Sequence, residues 1–229
     1  MFCVAWAFIF LGRSEFLSAA VALGFAVFTV GMVAMLVVVA SGKVASRVAC
    51  HDGTTALRPD PRVDRYLVAS TIGVFIAMVV YAVFAPLDML DIPTPRGDQE
   101  YYVAMCAAGV VVGVFSMRHI ARQRGMSRLR MSADGIEVGN TMTTAGRAWD
   151  ELTEVADRAA NGRKPTGTTY ITSDGGRIRT LPSDWYTPGG HALRDLVRFY
   201  WQHPEHREEL ANGLAVERLK AIVRGVEWR

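Results

Sequence analysis

The sequence has few cysteines, no recognisable catalytic motif and, along three long stretches, no charge at all. Cys3, Cys50 and Cys106 are the three cysteines in 229 residues, and no two of them share a C-x-x-C spacing. That excludes a disulfide framework and leaves the thiols reduced and either structural or incidental. Neither a G-x-S-x-G nor a G-x-x-x-x-G-K-[ST] pattern occurs, so the sequence offers no hydrolase nucleophile elbow and no phosphate loop. No catalytic residue and no cofactor is expected, and the chain is read as a non-enzyme. The formal net charge is only +3, and no basic patch is interleaved with stacking aromatics. Nucleic acid is therefore not an expected partner. His191, His203 and His206 gather near the end, but Pro204 interrupts them and the last hundred residues hold no cysteine. They read as surface histidines, with no metal site.

The missing charge is the more informative absence. Leu17–Ala40, Tyr66–Phe84 and Tyr101–Met117 contain no Asp, Glu, Lys, Arg or His. Each is long enough, or just long enough, to cross a bilayer as a helix. Transporters and proton relays mark their pathways with ionisable residues inside the spans, so a solo transporter is excluded too. Met1–Leu11 is apolar but too short to cross and is cut off by Gly12-Arg13-Ser14-Glu15. It reads as an interfacial or re-entrant segment, or as part of a fourth span. Gly24 and Gly31 in the first span, and Gly109 and Gly113 in the third, are small residues at spacings that let helices approach closely. They are candidate helix–helix contacts, and ordinary span composition is the competing reading.

Orientation follows from the flanking charges. The loop over 42–65 carries Lys43, Arg47, Arg58, Arg62 and Arg65, and the third span is followed by Arg118, Arg122, Arg124, Arg128 and Arg130. The loop over 86–100 has Arg96 against Asp88, Asp91, Asp98 and Glu100. The first loop and the C-terminal part are thus expected on the cytoplasmic side of the inner membrane, and the acidic loop outside.

From Ser127 the pattern changes to short strands and turns. Arg128–Met131 alternates, Asp134-Gly135 is a hairpin turn, and Gly135–Val138 returns. Thr143–Gly146 reads as a further turn, and Arg147–Val155 follows with Ala148, Leu152 and Val155 in register. Thr168–Thr172 and Arg177–Leu181 are joined by Ser173-Asp174-Gly175-Gly176, a second hairpin signal. Leu193, Leu196, Val197 and Tyr200 have helical spacing. Pro204 breaks that run, and Leu210, Leu214, Val216 and Leu219 continue it. Two divisions result: 1–125 as a transmembrane domain and 126–229 as a cytoplasmic domain. In the latter, Arg163 and Lys164 on a Gly/Pro-flanked loop are candidates for a headgroup contact, against a merely solvated loop. Trp185 and Tyr186 are candidates for a partner contact, or equally a core-closing aromatic pair.

Met131–Val138, Ala148–Val155 and the Arg177–Leu181 strand together resemble the bacterial pleckstrin-homology-like (PH-like) domain, over roughly residues 127–223. The whole chain resembles small, multi-span membrane proteins of mycolate-bearing actinobacteria. The resemblance implies a bent antiparallel sheet with a C-terminal helix, an α+β domain used to bind lipid headgroups or protein partners. The chain departs from the family pattern in that 127–223 supplies fewer strands than usual and its helix extends past Pro204. What the likeness implies is an accessory or adaptor subunit of an envelope complex, a Mce-type lipid import transporter being named first. Its partners would be other integral membrane subunits and membrane lipids. The alternative is a stand-alone membrane-anchored module that senses headgroups or recruits a cytoplasmic partner.

Overall fold

In the computed structural model, residues 2–92, 98–157 and 167–225 are described. They fall into two compact units. One comprises 1–36 and 65–122, the other 37–64 and 123–229.

The first unit is helical. α1 (Phe2–Gly12) is followed by α2 (Phe16–Ala40), α3 (Pro61–Phe84) and α4 (Gln99–Gln123). α2, α3 and α4 are the helices long and apolar enough to cross a membrane. At 25, 24 and 25 residues, each would run about 37 Å. α1, with eleven residues, falls well short of a span. Its Ala7 and Phe10 are buried. A small core joins Val21 of α2 to Ala77 and Tyr81 of α3, with Ala85 just beyond, and Val103 and Cys106 of α4 pack against it.

The second unit is built on strands. Among the described residues it has β1 (Arg47–His51), β2 (Thr54–Arg58), β3 (Arg128–Ser132), β4 (Gly135–Gly139), β5 (Thr144–Ala148), β6 (Leu152–Ala156), β7 (Thr169–Ser173) and β8 (Arg177–Leu181). β1 to β5 form one antiparallel meander in chain order, and β6 to β8 form another. Three helices follow: α5 (His191–Gln202), α6 (Glu209–Asn212) and α7 (Leu214–Arg224). Both Asp-Gly hairpin signals after Ser127 are turns, between β3 and β4 and between β7 and β8.

Several expectations change here. The segment read as a loop between the first two spans is a hairpin, β1–β2. β2 pairs with β3, opposing Leu57 to Leu129 and Thr55 to Met131. The C-terminal unit therefore does not begin at 126, and a division at 125/126 cuts through its sheet. The hairpin adds two strands to the three that 128–148 supplies to this sheet. Thr143–Gly146 is mostly strand β5. Arg147–Val155 is not one strand: the chain leaves β5, turns through Trp149–Glu151 and enters β6 in the other sheet. Trp149 anchors that corner, almost fully buried, with its indole N–H donated to the Ser132 carbonyl at 2.8 Å. The helical run past Pro204 is also broken, because Gly213 adopts φ +86° between α6 and α7, a left-handed conformation that glycine reaches at no steric cost.

The core of this unit joins both sheets and α5. Leu57, Leu129, Met131, Trp149, Leu181, Tyr186, Leu193, Leu196, Val197 and Tyr200 all lie in it, essentially without exposure. Burying an aromatic ring of this size removes about 150–250 Å² from water, so Trp149, Tyr186 and Tyr200 dominate the hydrophobic contribution. Their polar ends are all satisfied. The Tyr186 hydroxyl lies 2.7 Å from Ser127 Oγ, and Tyr200 donates to Glu209.

Candidate functional site

In the helical unit, the glycines singled out from the sequence mark contacts within the chain. A Cβ on Gly24 would lie 2.6 Å from the Gly73 carbonyl oxygen and 2.8 Å from Ala77 Cβ, and one on Gly73 would lie 2.8 Å from the Gly24 carbonyl. Gly31 faces Ser70, whose hydroxyl donates to the Phe28 carbonyl at 3.2 Å. α2 and α3 therefore touch backbone to backbone. Gly109 faces Met78 Sδ and Gly113 faces the Phe75 ring, so α4 rests on side chains of α3. At all four glycines the neighbouring atoms belong to α3 of the same chain.

In the β-rich unit, the connections into and out of the sheet are fixed by two carboxylates. Asp60 precedes α3 as an N-cap, with Pro61 in the first helical position, where its missing N–H costs nothing. Asp60 accepts the Arg62 amide at 2.8 Å and the Ala45 amide at 3.0 Å, and its carboxylate also meets the Arg62 guanidinium at 3.2 Å. Burial pushes its carboxyl up, but the Arg62 side chain and the two amides outweigh that and hold it below the usual range. Asp64 accepts the Met126 amide at 2.8 Å and the Arg47 guanidinium at 3.1 Å. One side chain thus ties the hairpin to the entry of β3.

Glu209 fastens the helical end. Arg218 grips it with two bonds, at 2.7 and 2.8 Å, and Tyr200 and His206 reach it at 3.1 and 3.0 Å. The Arg218 bonds lead, against the desolvation, in pulling its carboxyl below the ordinary range. Arg218 also lies over the Phe199 ring at 3.9 Å, and His203 stacks on Phe199 with ring centroids 4.5 Å apart. His203 and His206 therefore serve packing here. Among the described residues no three His, Cys, Asp or Glu side chains converge as metal ligands would.

Of the paired aromatics, Tyr186 is fully buried and Trp185 packs against the core. Burial leaves Tyr186 no surface for a partner, while Trp185 is only partly covered. Arg163 and Lys164 lie outside the described residues.

What sequence reading missed is the outer face of the five-stranded sheet. Side chains alternate across a strand, so with Thr55, Leu57, Leu129, Met131, Ile136 and Val138 inward, the opposite face carries Arg58, Arg128, Arg130 and Glu137. Arg47 joins them, directly opposite Arg58 across β1–β2. Ala49, Ala56 and Gly146 fill the positions between. Beside Arg130 lies a shallow recess of about 430 Å³, lined by Thr54, Ser132, Gly135, Glu137 and Gly146 among others. The arginines on either side of the spans had an explanation in topology alone, so their convergence on one sheet face was not legible before β2 was known to pair with β3. No protein-family model, no curated protein and no solved structure matches this chain.

Proposed function

We propose that the chain is a non-enzymatic integral membrane accessory or adaptor protein of the inner membrane, its β-rich unit a PH-like module on the cytoplasmic side. The observation that carries this reading is the pairing of two features. The spanning helices have no ionisable side chain through their apolar stretches, and among the described residues the polar side chains of the β-rich unit hold structure together without assembling a nucleophile, base and oxyanion donor. An antiparallel sheet of five strands, a second of three and a following helix support the PH-like assignment, and the basic segments flanking the spans support the orientation.

The complex it serves is proposed by resemblance: a Mce-type lipid importer of a mycolate-bearing actinobacterium, an analogy of setting rather than of a site. With the glycine faces closed within the chain, the least covered of the three long helices is α4, and its outward side is the surface proposed for another subunit. Tyr101, Met105, Val112 and Phe115 stand out from it, and only 6% of its apolar window is covered, against 28% for α2 and α3. A chromosomally tagged copy, extracted in mild detergent and examined by mass spectrometry, is expected to bring down a stoichiometric multi-subunit partner. Recovery of the chain alone would reject the accessory reading. The second reading, a stand-alone headgroup-sensing module, is favoured by the arginines on the outer sheet face.

A further inference from the structure

Arg58, Arg128 and Arg130 stand on the outer face of β2 and β3 with little to neutralise them. Arg58 bonds the Arg124 carbonyl at 3.3 Å, and Arg130 reaches only the Thr54 hydroxyl, at 3.5 Å. Arg128 Nε is buried with no acceptor. Burial, then the charges of Arg130 and Arg58, push the Arg128 guanidinium below its ordinary range, with Glu137 the one carboxylate acting against them. Like charges facing each other across strands cost stability, as Arg47 and Arg58 also do. Glu137, directly opposite Arg130 across β3–β4, offsets one of these charges, and the face keeps a net positive charge on a floor of alanine and glycine. A guanidinium fork is shaped for two oxygens of a phosphate, and a dehydrated one gains most from an oxyanion.

We infer that this face docks on the phosphate headgroups of anionic lipids in the membrane that the chain itself crosses. The argument for that source over a free phosphate is the covalent chain. Arg58 is three residues before Pro61, where α3 begins, and Arg128 is five residues after Gln123, where α4 ends. Fully extended, five residues reach about 17 Å, so the arginines cannot stray far from span ends. An anionic leaflet contributes about 1 kcal/mol for each basic residue near its surface, and does so over a distance of about a Debye length. The charge is also spread along two neighbouring strands of one sheet face, beside a shallow recess. The inference rests on α2, α3 and α4 being membrane spans.

The test uses the full chain. Carbonate washing of membranes comes first, then purification in a neutral maltoside detergent and native mass spectrometry with added short-chain phosphatidylglycerol, phosphatidylcholine or inorganic phosphate. Phosphatidylglycerol is expected to bind at least 10-fold tighter than phosphatidylcholine. The triple variant R58Q/R128Q/R130Q is expected to lose about 10- to 100-fold of that affinity, with an unchanged or higher melting temperature because repulsion is relieved. Arg→Lys at the same three positions keeps the charge but not the fork, and should lose less than the glutamine triple variant. If the triple variant does not fold, R130Q alone, which gives up only the weak Thr54 contact, should lose at least 3-fold. Equal affinity of wild type and variant for phosphatidylglycerol would overturn the inference while leaving the spans intact. So would equally tight binding of inorganic phosphate, which would make this a soluble-anion site. Release of the chain by carbonate would overturn the spanning reading together with the inference.

Discussion

The two units of this chain cohere by opposite means. The helical unit brings α2 and α3 together by removing side chains: where Gly24 meets Gly73, only backbone stands between the helices. Within a bilayer the surroundings are as apolar as the side chains, so burial adds little and close packing has to supply the association. The β-rich unit does the reverse. It buries Trp149, Tyr186 and Tyr200 completely and gives each polar end a partner, because in water both the apolar area and the orphaned polar group count heavily. Glycine is structural in one unit because it is small. In the other it is structural mainly where φ is positive, as at Gly213.

The largest effect should come from cutting the core of the β-rich unit. Trp149→Ala removes the corner residue between the two sheets and its bond to Ser132, and should cost about 4 kcal/mol, read as a fall in the chemical denaturation midpoint of the strand signal in detergent. A loss under about 1 kcal/mol would mean that the core described here does not carry the unit. Next, Gly24→Leu should separate α2 from α3, at about 2–3 kcal/mol. Gly109→Ala should cost less than Gly24→Ala, because it meets the mobile end of Met78 rather than a carbonyl. Comparison of the two alanine variants by thermal scanning tests whether backbone contact is what matters, and equal losses would refute it.

Glu209→Gln should cost about 2 kcal/mol by breaking the bidentate Arg218 contact. It should also remove an acid-dependent component of stability. The Glu209 carboxyl is depressed in the folded state, so its contribution is fully present above the ordinary glutamate range and is lost as pH falls through the lower folded value. Denaturation midpoints of wild type and variant should therefore converge as the pH drops below about 4; a gap that stays constant down to pH 2 would contradict the assignment. The smallest effect expected is Asp64→Asn, about 1 kcal/mol, since the amide can still accept from Met126 while the Arg47 ion pair, with Arg47 nearly half exposed, contributes little.

Much of the fold was readable from local pattern. The charge-free stretches located α2, α3 and α4 to within a few residues at most ends, because hydrophobic length is a property of consecutive residues. The Asp-Gly turns located two hairpins, and the spacing of Leu193, Leu196, Val197 and Tyr200 located the buried side of α5, all four without exposure. The β1–β2 hairpin carries the same kind of signal, Asp52-Gly53 between short alternating runs. It was passed over because the basic residues around it were already accounted for by topology. Trp149 was read within a strand, since nothing local says that the chain changes sheets there.

Composition and period alone determined that this chain has three charge-free apolar stretches in helices long enough to cross a membrane, and that a strand-rich segment with a C-terminal helix follows them. Both are set by the free energy of consecutive side chains in oil or water. Tertiary structure decided what distant residues do to one another. It put 47–58 into the sheet of 128–148, turned the span glycines toward α3, buried Tyr186, and gathered arginines from before α3 and after α4 onto one face. Those outcomes depend on which strands pair and which helices touch, and a sequence records such pairings only through contacts separated by tens of residues.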